Sequence, residues 1–307
     1  MLYRIDFKAM GCRMIGMVDS PSPEASKLLA QVPNWFDEWE QILSRFRPES
    51  ELSQLNNSAG WPVQVSQTLW DVFQTAVEAE KASAGLVTAS VLEALVNAGY
   101  DRSFDELPRE DIHPPVSSWN KVTSLAEVSL DPTNRTICLP ADVHLDFGGV
   151  AKGWAAMQAA QRLTVNGPAL VSAGGDMAIS AELHAGLWPV TVDDPFRPGE
   201  VIATLSLGAC GVATSGTDYR RWKQGGRWNH HIIDPRTGQP AQTDLISATI
   251  IAPTVTQAEM AAKTALILGS QNGLEWINAR PEFSALLVLE TGESFCSNHM
   301  EQFFWRS

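Results

Sequence analysis

Apolar and polar positions alternate through residues 3–18, where Tyr3, Ile5 and Phe7 lead on to Met14, Ile15, Met17 and Val18. A period of two predicts strand, and Met10-Gly11 marks a corner between the two halves. Helical spacing takes over in residues 22–45 (Leu28, Leu29, Val32, Trp35, Phe36, Trp39, Ile42, Leu43), with Pro33 as a kink or interruption. Residues 50–56 read as a short helical segment. Residues 66–83 carry the stripe Leu69, Val72, Phe73, Ala76 and Val77, which predicts a helix with Ser66 as N-cap and Gly85 as stop. Residues 101–120 hold Pro108, Pro114 and Pro115 and read as a surface excursion or lid-like loop. Two short strands follow between 119 and 138, around the turn Asp131-Pro-Thr-Asn.

The second half begins with an extended run at 143–145. It passes Gly148-Gly149 and enters a helix marked by Val150, Ala151, Trp154, Ala155, Ala159 and Leu163. A buried strand at 169–172 ends in Gly174-Gly175-Asp176 and continues through 177–181. Further strands are expected at 188–192, 201–207, 210–214, 246–252, 285–289 and 302–305, with another at His230-His231. A helix at 256–268 stops at Gly269. Strands and helices mix without regular βαβ alternation, and no internal repeat is visible. That order predicts an α+β fold rather than a doubly wound sheet.

The chain has 307 residues, 44% of them hydrophobic, enough for a substantial core in one large domain or two small ones. Its net charge of −13 argues against a nucleic-acid or anionic-membrane partner. Any phosphate site must then be local, built from backbone donors and one or two lysines. The four cysteines (Cys12, Cys138, Cys210, Cys296) are scattered, with no Cys-x-x-Cys, which fits a reducing compartment. No apolar run is long enough to span a membrane, and the N-terminal segment lacks the build of a secretion signal, so a cytoplasmic protein is expected.

The stretch Leu-Asp-Phe-Gly-Gly-Val-Ala-Lys-Gly-Trp at 145–154 is the richest in chemistry. Its glycines let the backbone approach a ligand closely. The amides of the helix start offer a seat for phosphate, and Lys152 places a positive charge beside it. Asp146 can accept a hydrogen bond from a polar ligand group. The same residues also describe an ordinary strand-to-helix turn with a surface lysine.

This stretch resembles the signature Asp-Leu-Gly-Gly-Ile-Ala-Lys-Gly-Tyr of the ApbE family, the FAD:protein FMN transferases. Four further segments resemble that family in the same order. They are Ala9-Met-Gly-Cys12, the run from Leu43-Ser-Arg-Phe-Arg-Pro to Asn56, Ala169-Leu-Val-Ser-Ala-Gly-Gly-Asp176, and Val212-Ala-Thr-Ser-Gly216 leading to His230-His-Ile-Ile-Asp-Pro-Arg-Thr-Gly238. The resemblance implies one domain over residues 1–307 with a T-fold-like α+β architecture. Mixed or antiparallel sheets would carry packed helices, with a ligand cleft between two lobes. It also implies an enzyme that splits FAD at its pyrophosphate, transfers FMN to a Ser or Thr of an acceptor protein, and releases AMP. On the matching positions, Met10, Phe46, Leu86, Val87, Thr88, Asp146, Lys152 and Ile233 would contact the flavin nucleotide. His231 would be the base or site organiser, since histidine takes up a proton near neutral pH. Three positions depart from the family pattern: Cys12 stands for a threonine, Thr88 for an aspartate, and Phe46 stacks without a hydroxyl.

The family's Mg²⁺ position maps onto Gly149, Glu259, Ala262 and Lys263. Glu259 falls at an aspartate and Lys263 at a threonine. They lie i and i+4 on one helix face and can pair. Glu259 could ligate Mg²⁺, but a protonated lysine cannot, and at ~4 Å and an effective dielectric of ~20 it repels a divalent ion by roughly 8 kcal/mol. The expectation is that the Lys263 ammonium stands where the metal would, unless the two form a Glu–Lys pair on a solvated face. Two alternatives to the transferase stay open: a catalytically impaired flavin- or nucleotide-binding protein that does not use Mg²⁺, and an enzyme acting on another phosphorylated molecule. The sequence names neither the acceptor nor the oligomeric state.

Overall fold

The computed structural model describes residues 1–107 and 122–306. The lid-like reading of 101–120 therefore falls largely outside the described residues. The chain folds into two compact units. The first comprises Met1–Trp35, Lys152–Asp218 and Gln242–Ser307; the second comprises Phe36–Ala151 and Tyr219–Ala241.

The first unit is organised on an eight-stranded sheet: β1 (Leu2–Ala9), β2 (Cys12–Asp19), β3 (Ala169–Ala173), β4 (Asp176–Ile179), β5 (Cys210–Gly216), β6 (Leu245–Ala252), β7 (Ser284–Leu289) and β8 (Ser294–Cys296). The spatial order of these strands is their order along the chain. Every neighbouring pair is antiparallel. Such pairs can be joined by tight turns, so long insertions between strands leave the pairing order unchanged. Ala9 pairs with Cys12 across the corner, and Met10 and Gly11 both have positive φ, 49° and 65°. A two-residue hairpin loop demands that geometry, which glycine adopts freely and methionine rarely. The chain reverses at Gly174-Gly175 (φ 66° and 101°), so β4 runs back along β3 instead of extending it.

Strand β3 is buried at every position, and β6 and β7 nearly so, because both faces of the sheet are covered. One face meets the hairpin Trp188–Asp193/Val201–Leu207, whose inward residues Trp188, Val190, Val192, Leu205 and Leu207 pack with Leu170, Val212 and Ile251. The other meets the helix Val255–Asn278, packed on β5 and β6. Thr254 caps that helix with Gln257 in a capping box. The expected stop at Gly269 is real, with φ 78° and ψ 177°. The helix then restarts, because the Asp244 carboxylate accepts from the Ser270 amide and hydroxyl at 2.8 and 2.5 Å. Residues 302–305 are not a strand. Gln302 and Phe303 belong to a 3₁₀ turn, Met300–Phe303, and Phe304 then meets the hairpin through one isolated bridge to Leu205.

The second unit holds the helices Glu51–Asn57 and Gln67–Ala82, each with its serine N-cap: Ser50 accepts from the Ser53 amide, and Ser66 from Leu69. Pro33 lies in the first turn of the helix Val32–Leu43, where a missing amide costs nothing, and the preceding helix is separate, Glu24–Leu29. The short strands Ser129–Asp131 and Thr136–Cys138 form as expected. No helix among the described residues is long and apolar enough to cross a membrane.

Gly211 is where the covering helix meets the sheet most closely: a Cβ there would lie 2.0 Å from the Val255 amide nitrogen. Gly211→Ala should therefore destabilise the protein by about 3 kcal/mol, the upper range for overpacking, read as a lower urea midpoint at unchanged m-value.

Candidate functional site

In the first unit four charged side chains converge in the interior. Lys152 comes from the first turn of the helix Ala151–Leu163, Asp176 opens β4, and Glu259 and Lys263 lie one turn apart on the helix Val255–Asn278. The Lys152 ammonium contacts the Asp176 carboxylate and lies 3.2 Å from Glu259 Oε1. Lys263 Nζ approaches the same Oε1 at 3.0 Å. Glu259 is 1% exposed and the lysine side chains about 15%, so the Glu–Lys pair does not sit on a solvated face.

Burial pushes the Glu259 carboxyl up, but Lys152 and Lys263 outweigh it and hold the group below the usual carboxylate range, at about 2. Burial also opposes the Lys152 charge, yet Asp176 and Glu259 prevail and its pKa is raised. For Asp176, burial leads and Glu259 adds to it, so its pKa rises despite Lys152. With Asp176 ionised the four charges cancel; with it protonated the cluster carries one positive charge. In neither state does the cluster hold net negative charge.

Glycines make this convergence possible. A Cβ on Gly153 would lie 2.7 Å from Glu259 Oε2, so the two helices approach closely there. A Cβ on Gly174 would lie 2.8 Å from Cys12 Sγ and 4.0 Å from the Lys152 stem. The Met10–Cys12 corner thereby ends beside the lysine. Ala262 is fully buried on the same helix as Glu259. Thr264 is turned away: it is fully buried and donates to the Met260 carbonyl.

In the second unit Asp146 forms a buried ion pair with Arg45 at 2.5 Å and accepts from the Gly148 amide at 2.7 Å. Its carboxylate is thus engaged within its own unit. The amides of Val150 and Ala151 both donate to the Phe147 carbonyl, at 2.9 and 2.8 Å. The turn around Gly149 therefore spends on itself several of the donors expected to face a phosphate. Asn56 fixes the entry to the turn by bonding both the carbonyl and the amide of Leu145. Arg45 also lies 4.1 Å over the ring of Phe46, which is 40% exposed, and donates to the Tyr100 carbonyl at 2.7 Å. Tyr100 packs on Phe46 and on Trp222.

Leu86 and Thr88 are half-buried and Val87 is buried. The Thr88 hydroxyl is shared with Ser90 at 3.0 Å. His231 is half-buried at the end of the hairpin Arg221–Gln224/Arg227–His230, and Ile233 is buried two residues on. Its neighbour His230 has a structural task. Nε2 lies 3.0 Å from the Ala241 carbonyl and Nδ1 accepts from the Ile232 amide at 3.3 Å, which selects the neutral ring protonated at Nε2. Arg45 and Asp176, the partners of Asp146 and Lys152, are not among the residues expected from sequence although both lie in segments that resemble the family; each is recognisable only from the partner it meets in the fold.

The residues at the position where the resemblance would place Mg²⁺ do not fit the ion. The one Glu259 oxygen that meets a cation already faces two ammonium groups, and a lysine stands at a ligand position. Among the described residues no three His, Cys, Asp or Glu side chains gather as a metal site.

An antiparallel sheet covered by a helix and a hairpin, with a charge-compensated polar centre at the helix–sheet junction, defines an α+β protein of one architectural class. A profile of the ApbE family matches residues 5–287, and the chain belongs to that family. It is 30% identical over 295 residues to the FAD:protein FMN transferase of Treponema pallidum, covering 90% of this chain and 81% of that one. It is 27% identical to the FAD:protein FMN transferase of Salmonella typhimurium, over 95% and 85% of the two chains. The crystal structure of the ApbE protein of Thermotoga maritima superposes with a TM-score of 0.88 at 25% identity, covering all of both chains. These relatives lend no support to the impaired-binder alternative.

Burial holds His230 below its ordinary pKa, against the Ala241 bond that raises it. The folded state then binds fewer protons than the unfolded state between the depressed pKa and about 6.5, so stability falls as pH drops through that window. Urea midpoints measured at pH 7.5 and pH 5.5 should show this loss, and His230→Gln should remove its share of the difference.

Proposed function

We propose that this protein is an FAD:protein FMN transferase. The carrying observation is the match over nearly the whole chain to relatives that bear this name. The family fold over the full length supports it, as do the motif residues 146–154 and 230–238. In the reaction, a Ser or Thr hydroxyl oxygen of the acceptor bonds to the phosphorus of the FMN half. The bond from that phosphorus to the bridging oxygen breaks, and AMP leaves with that oxygen and the electron pair. The hydroxyl proton passes to His231.

Each residue has a role within this reading. Phe46 offers an exposed ring for the isoalloxazine, held in place by Arg45 and Tyr100. Met10, Leu86, Val87, Thr88 and Ile233 shape the flavin contacts. Asp146 organises the turn at Gly148-Gly149 through Arg45 and the Gly148 amide. Lys152 is fixed by its carboxylate partners, so its charge is placed before the pyrophosphate arrives. The partner is a flavin-acceptor protein, and the proposed compartment is the cytoplasm.

Purified protein incubated with FAD and an acceptor should release AMP and label the acceptor covalently. His231→Ala should lower that rate by about 10²- to 10⁴-fold, the usual weight of a general base, with FAD affinity held within a few-fold. FAD bound tightly without AMP from two different acceptors would refute the transferase reading.

A further inference from the structure

We infer that the Lys263 ammonium takes the place of a divalent cation, so that this chain binds and splits FAD without Mg²⁺. The splitting half of this statement rests on the function proposed above; the metal half does not. Three observations carry it, all within the first unit.

The first is position. Glu259 and Lys263 are i and i+4 on one helix, and the ammonium lies 3.0 Å from Oε1. That oxygen also faces Lys152 at 3.2 Å. A metal bound there would have to displace an ammonium that shares its own helix and cannot diffuse away. The second is charge. Two ammonium groups already match the two carboxylates of Asp176 and Glu259. A divalent ion added to the cluster would leave it with a surplus of positive charge in a buried setting, where such a surplus is costly. The third is space. The other oxygen, Oε2, makes no hydrogen bond among the described residues. It lies beside Gly153, where a Cβ would come within 2.7 Å of it, so the first turn of the helix Ala151–Leu163 borders the carboxylate on that side.

A tethered ammonium and a divalent ion differ in what they supply. The ammonium gives one fixed charge and three donors, with no coordination geometry and no Lewis acidity. It is also present at every metal concentration. Transfer in this chain should then be slower than a metal-assisted reaction yet insensitive to chelation.

The test uses the full chain, stripped with EDTA and titrated with Mn²⁺ under electron paramagnetic resonance. The wild type should show no tight site, and Lys263→Thr should bind one Mn²⁺ at least tenfold more tightly. Adding Glu259→Gln to that variant should abolish the gain. In parallel, wild-type FAD affinity and AMP release should stay within twofold between EDTA and millimolar Mg²⁺. Tight Mn²⁺ binding by the wild type would overturn the inference. So would a Lys263→Thr variant that folds and gains no site, or a tenfold loss of FAD affinity in EDTA that Mg²⁺ restores. If Lys263→Thr fails to fold, the wild-type chelation series decides alone. Absence of AMP under all conditions would strike the proposed function, while the Mn²⁺ comparison would still decide the role of Lys263.

Discussion

A carboxylate that is 1% exposed stays charged only if cations meet it inside the protein. Glu259 imposes that requirement on the first unit, and much of the local architecture answers it. Lys263 arrives through helical spacing alone. Lys152 arrives because the helix Ala151–Leu163 lies against the helix Val255–Asn278 at Gly153, where no side chain intervenes. Asp176 arrives because Gly174-Gly175 reverses the chain and begins β4 beside the lysine. The close seat of the covering helix on β5 in turn needs Gly211. Glycines therefore set the backbone spacing, and the spacing sets the electrostatics.

The stretch 145–154 shows how one short motif meets two different demands. Its first half belongs to the second unit, where Asp146 is held by Arg45 and the turn closes on its own amides. Its second half opens a helix of the first unit, where Lys152 is neutralised by two carboxylates. The two charged residues of the motif thus have separate partners. A reading of the motif as one phosphate cradle assigns both charges to a ligand; in the folded chain each is first spent on the protein.

Much of the fold is legible in the pattern of residues, and the reason is local. Ser66 caps its helix because its hydroxyl reaches the amide three residues on. Trp188, Val190 and Val192 alternate because one face of their hairpin is buried. Gly269 breaks a helix because its backbone leaves the helical region. The failures have equally physical causes. The helix resumes after Gly269 only because Asp244, 26 residues away along the chain, supplies the cap. Residues 302–305 look like a strand because three aromatic residues follow one another at 303–305, yet a single bridge is all the strand pairing they find. The second strand of the glycine hairpin was expected to run onward, since sequence shows the flexibility of Gly174-Gly175 but not the direction the chain takes.

The sequence by itself determined the family resemblance, the α+β class, the capped helices, and the replacement that puts a lysine at a metal position. These are properties of residue identity and of contacts within a few residues. Only the tertiary structure decided that the Glu259–Lys263 pair is buried, that Lys152 reaches the same Glu259 oxygen while also meeting Asp176, and that Arg45 claims Asp146. Those facts depend on segments more than a hundred residues apart meeting at a few ångströms. Charge compensation in an interior is a property of the whole set of neighbours, and the neighbours are chosen by packing.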